Sequence, residues 1–100
     1  MTLFSIMDIT TFQNSLSEKA PPADASVYLK ALWHDAQGNW QKAHELIQDL
    51  PSKSAAWIHA YLHRKEGDNW NADYWYTSAG KKRPAGSLQE EWEQLVKALL

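Results

Sequence analysis

Gly38 and Gly67 stand 29 residues apart, and each separates two stretches whose apolar residues recur at helical spacing. A glycine so placed takes the left-handed turn that ends a helix, so the chain reads as helix, turn, helix, twice over. Sliding the sequence on itself by 29 residues lays Tyr28 on Trp57, Leu29 on Ile58, Ala31 on Ala60, Leu32 on Tyr61 and His34 on His63. Beyond the glycines the same shift lays Ala43 on Ala72, Leu46 on Trp75 and Ile47 on Tyr76. Alanines at matched points let two helix backbones approach closely, while large partners on neighbouring turns fill the remaining space.

No run of β-branched residues alternates with polar ones, and the whole chain is therefore expected to be all-α. Ile9, Phe12 and Leu16 share one helical face, with Thr10 and Gln13 spaced as a capping box, and "KAPPADA" ends this short helix. A stronger helix is predicted from Asp24, as N-cap, to Gln37, with Tyr28, Ala31, Leu32 and Ala36 as its apolar face. The next opens at Asn39, carries Trp40, Ala43, Ile47 and Leu50, and is closed by Pro51. Ser54 to Glu66 follows with Ile58, Tyr61 and Leu62 in register. Then comes a helix from Asp68 or Asn69 to about Ala79, facing inward with Ala72, Trp75, Tyr76 and Ala79. Ser87 and Glu90 form a capping box ahead of the stripe Leu88, Trp92, Leu95, Val96 and Leu99. The expected organisation is one domain, 1–100: an N-terminal segment 1–23, hairpins 24–51 and 54–80, and a capping helix 87–100.

With 44% hydrophobic and 22% charged residues the composition is that of an ordinary globular domain, and its 12% aromatic content enlarges a core that 100 residues would otherwise keep small. The absence of cysteine excludes disulfides, thiolate metal sites and cysteine nucleophiles. A net charge of −2 gives no drive toward phosphate, and Lys81, Lys82 and Arg83 beside Pro84 read as a solvated loop, so no nucleic-acid partner is expected. "MTLFSIMDITTF" lacks the basic start and long apolar run of a secretory signal, and no window is long enough to span a membrane. The expectation is a soluble, cytoplasmic chain with no membrane partner and no cofactor.

The matched small and large residues resemble tetratricopeptide repeats. Gly67, Ala72, Tyr76, Ala79 and Pro84 fit that pattern in the second unit, with Asn69 in the place of its aromatic residue. Gly38, Trp40, Ala43 and Ile47 fit it in the first, where Leu50 replaces an alanine and Pro51 comes early. The segment from His63 through "EGD", "NADYWY" and "AG" to Trp92 also resembles a group of small bacterial proteins, a likeness that carries no activity with it. The repeat resemblance implies a concave groove lined by the first helix of each unit. It would bring Tyr28, Leu32 and Asp35 beside Trp57, Tyr61, Arg64 and Lys65 to hold a protein, a peptide or an anionic small ligand. On that expectation, replacing Arg64 and Lys65 by glutamate abolishes capture and leaves stability nearly unchanged.

The alternative is a metal or small-ligand site. His59 and His63 lie four apart on one helix, Glu66 follows, and the repeat is expected to bring His34 near. No glutamate follows His59 as a zinc-protease helix requires, Asp68 and Asp73 fall on different helical faces, and no serine elbow or phosphate loop exists, so a non-catalytic role is expected. Trp33, Trp70 and Trp92 are more ring than one small core is expected to cover, which leaves monomer and homodimer both open.

Overall fold

The computed structural model describes residues 7–100; the first six residues of the N-terminal segment lie outside it. Among the described residues the fold is all-α. Its helices are α1 (Ile9–Asn14), α2 (Val27–Ala36), α3 (Trp40–Ile47), α4 (Lys53–Lys65), α5 (Asn69–Ser78) and α6 (Leu88–Leu99), with a 3-10 turn at Ser15–Ser17 after α1. No helix among these is long and apolar enough to cross a membrane.

Local chemistry sets each boundary. α2 starts two residues later than expected, because the amide of Ala25 donates to Pro22 O and folds Asp24 into a turn. Ser26 caps the helix instead, accepting from the amide of Leu29. At α1 the cap is Asp8, which accepts from the amide of Thr11, and not the expected Thr10 and Gln13 pair. Ser52 caps α4, ahead of the expected Ser54. Asn39, Asp68 and the Ser87 and Glu90 capping box act as read.

The turns after α2 and α4 share one hydrogen-bond pattern. Gly38 and Gly67 have φ of 84° and 85°, and the following amides, of Asn39 and Asp68, donate back to the carbonyls of His34 and His63. α2 accordingly folds back on α3, and α4 on α5.

α4 lies at the centre, touching α2, α3, α5 and α6, which is why Ala55, Ala56, Ile58, His59, Ala60, Tyr61, Leu62 and His63 are all buried. On one side Ile58 and Leu62 join Phe12, Leu29, Leu32, Ile47, Trp92 and Leu95 in the main core; each large side chain so buried is worth roughly 1.5–3 kcal/mol. On the other, Ala60 meets Ala72 and Tyr76 of α5 in a smaller cluster. Ala36, expected on the apolar face of α2, is exposed, and Trp33 is buried in that helix.

Indole N–H groups tie the helices together. Trp33 donates to Ser15 O, Trp40 to Leu62 O and Trp92 to Leu32 O. Each ring thus fills the core while its one polar atom finds a backbone acceptor on another element. Of the three tryptophans expected in surplus, Trp33 and Trp92 are covered and Trp70 alone is exposed.

Candidate functional site

The residues expected to line an open groove do share one face, made by α2 and α4, and α6 lies across it. Leu32, Asp35 and Tyr61 are buried there and Trp57 is partly buried. Glu91, on the same helical stripe as Leu88 and Leu95, is only 2% exposed. Its carboxylate accepts from Arg64 Nη1 at 2.8 Å, Trp57 Nε1 at 3.1 Å and the Tyr76 hydroxyl at 2.7 and 2.6 Å. Arg64 Nη2 also donates to Gly86 O, fastening the loop that leads into α6.

Asp35 forms a second such node. Its carboxylate accepts from the Tyr61 hydroxyl at 3.0 Å and from Lys65 Nζ at 2.9 Å. Burial, and then the adjacent carboxylate, pushes Tyr61 up, so its hydroxyl stays a donor. Burial and the bond to Glu91 do the same for Tyr76. Tyr28 bonds through its hydroxyl to Ser52 Oγ at 2.9 Å, joining α2 to the start of α4. The expectation that Arg64 and Lys65 are free cations is therefore corrected: each is paired with a buried carboxylate. A glutamate at position 64 would face Glu91, and stability could not survive unchanged.

The histidines gather on the opposite side of α4. His59 and His63 meet His44 of α3, and the three offer ligand atoms within 4.8 Å of one another. His44 Nε2 and His59 Nε2 are 3.0 Å apart. Trp75 stacks on His59 with centroids 4.0 Å apart and planes 16° from parallel, and Trp40 stacks on His44 at 4.8 Å and 11°. His63 Nδ1 lies 2.6 Å from Glu66 Oε1. A carboxylate can only accept here, so Nδ1 carries the proton. Burial first, then the His44 and His63 charges, pulls the His59 pKa down to about 4, while burial and then His63 lower that of His44.

His34 is not part of this cluster. It sits on the last turn of α2 with its ring edge to Trp33 at 5.1 Å. The face of α4 that meets α2 is the one bearing Tyr61 and Lys65, whereas His59 and His63 turn toward α3 and α5, so only α3 can supply the third ring. His44 is a site residue that histidine spacing does not reveal, although its place among Trp40, Ala43 and Ile47 on one face of α3 marks it as inward-leaning. Glu91 is likewise absent from the expected site, and a carboxylate on an otherwise apolar stripe is its signal in the sequence.

α5 carries the remaining feature. Trp70 is 80% and Tyr74 57% exposed, side by side one helical turn apart on the outward face. On the flank of that face Asp73 is bridged by Arg83 at 3.1 Å. No family model matches the chain, and neither the curated proteins nor the solved structures hold a significant match to it.

Proposed function

We propose that this chain is a non-catalytic binding module, a tetratricopeptide-like pair of hairpins that presents Trp70 and Tyr74 to a protein or peptide partner in the cytoplasm. The observation that carries the reading is the exposure of those two rings, 80% and 57%, in a chain whose other tryptophans are wholly or partly covered. The 29-residue offset supplies an internal control. It lays Trp70 on Gln41 and Tyr74 on Glu45, an exposed pair joined by a hydrogen bond of 3.3 Å in the first hairpin. The same position is therefore satisfied by solvated polar side chains, and rings there are not needed for folding. Exposed rings are the side chains that contribute most per contact when a partner desolvates them.

The face of α2 and α4 serves a different end in this reading. Arg64, Trp57, Lys65 and Tyr61 hold carboxylates of the chain itself, and α6 occupies the place of an external ligand. Neither carboxylate node is free for acid and base chemistry, which supports the non-catalytic role.

Affinity capture from the native host, wild type against the Trp70→Gln, Tyr74→Glu double variant, tests the proposal. A partner recovered by the wild type and lost by the variant, with thermal midpoints within a few degrees, is expected. Equal recovery by both would overturn it. The pair can be changed without harm to folding because surface substitutions of this kind usually stay within about 0.5 kcal/mol.

A further inference from the structure

We propose that His44, His59 and His63 form a binding site for one borderline divalent transition-metal ion, of the zinc, cobalt, nickel and copper class. The three rings come from two helices that belong to different hairpins, so the ion would clip α3 to α4 at the place where the hairpins meet. Zinc-class ions sit about 2.0–2.1 Å from imidazole nitrogen, which in tetrahedral geometry separates two ligand nitrogens by about 3.3 Å. The His44 and His59 Nε2 atoms, 3.0 Å apart, need to open only by a few tenths of an ångström. Two nitrogens that approach end to end either share one proton or share a cation.

His63 is prepared for the same role from behind. Its Nδ1 proton is held by Glu66 Oε1 at 2.6 Å, which leaves the Nε2 lone pair available to the cluster. A carboxylate behind a ligating imidazole fixes the tautomer and raises the basicity of the ring. Orientation of the other two rings is set by stacking, Trp75 on His59 and Trp40 on His44. His44 is only partly buried, so an ion can enter past it and keep a water as fourth ligand. Three neutral nitrogen donors with no carboxylate among them disfavour calcium and magnesium.

Glu66 and Asp68 lie on the far side of His63 and with it make a second, more exposed grouping, so the experiment must separate the two. The full chain is titrated with zinc by calorimetry at neutral pH and with cobalt by visible absorption, alongside His44→Gln and Glu66→Gln. The expected result is one ion per chain, a tetrahedral cobalt spectrum, a loss of at least tenfold in affinity for His44→Gln, and a loss of about 10–100-fold for Glu66→Gln. Zinc should also raise the thermal midpoint of the wild type and not that of His44→Gln.

Should His44→Gln fail to fold, copper quenching of wild-type tryptophan fluorescence decides instead. Trp40 and Trp75 touch the ligands, so one equivalent should quench strongly, and Trp40→Phe should remove part of that quenching. Absence of binding, or an unquenched wild type, overturns the site. Binding unaffected by His44→Gln but lost in Asp68→Asn would place the ion on the carboxylate side of His63 and overturn it equally.

Discussion

Replacing Glu91 by alanine should uncouple α6 from the body of the protein. In the wild type one carboxylate satisfies a guanidinium whose side chain is 15% exposed, a buried phenol and an indole N–H. Alanine leaves the phenol, the indole N–H and Arg64 Nη1 with no acceptor, only Nη2 keeping its bond to Gly86 O, and breaking a buried ion pair from one side typically costs about 3–5 kcal/mol. Glu91→Gln keeps the shape and one carbonyl oxygen for Tyr76 but gives up the charge pairing, which should cost about 1.5–3 kcal/mol. For a domain of this size roughly 3 kcal/mol lowers the thermal midpoint by about 12–24 °C.

The pair can be isolated by a double-mutant cycle. Arg64→Ala alone leaves Glu91 charged and buried with two neutral donors, whereas the Arg64→Ala, Glu91→Ala double variant leaves no charge behind. The double variant should therefore be more stable than the sum of the singles predicts, with a coupling of about 1–3 kcal/mol. Urea unfolding of the four proteins, analysed with a common slope, measures it. A cost below about 1 kcal/mol for Glu91→Ala, or no coupling, would refute the idea that Glu91 anchors α6.

The remaining expectations concern pH, turns and caps. His59 titrates near 6.5 when unfolded and near 4 when folded, so the unfolded chain binds more protons between those values. Stability is therefore held above about pH 6.5 and falls as pH drops toward 4, by on the order of a few kcal/mol, with His44, His63 and Glu66 as the charged neighbours. Urea midpoints measured from pH 7.5 to 4.5 should show that slope, and a flat profile would contradict it. Gly67→Ala should cost about 1–2 kcal/mol by chemical denaturation, all of it from the φ of 85°, because an added Cβ meets nothing within 4 Å. Ser87→Ala removes the acceptor for the Glu90 amide and should cost about 1 kcal/mol; equal denaturation midpoints would show that the box does not hold the start of α6.

Much of the local structure was legible in the residues. Gly38 and Gly67, the Asn39 and Asp68 caps and the Ser87 and Glu90 box act within a few residues of themselves, so their geometry follows from short-range sterics and hydrogen bonding. Where a nearby competitor exists the cap moves: the amide of Ala25 turning back to Pro22 displaces Asp24, and Asp8 takes the place of Thr10. The candidate site was less legible. His59 and His63 were found because their spacing is a property of one helix, while His44 belongs to another helix and no spacing rule links it to them.

The sequence alone thus determined that helices form, where half of them start, and which rings lean inward, because those outcomes depend on neighbours three or four residues away. The tertiary structure decided which faces meet. α6 rests across α2 and α4 because Trp92, Leu95 and Val96 enter the core those helices share, and Glu91 then meets Arg64 and Trp57 of α4 and Tyr76 of α5, so that α6 covers part of the expected groove. It also decided that α3, and not α2, faces His59 and His63, and that Trp70 alone among three candidate tryptophans remains in solvent. Such outcomes rest on side chains distant in sequence competing for the same buried volume, and only the packed structure records which of them won.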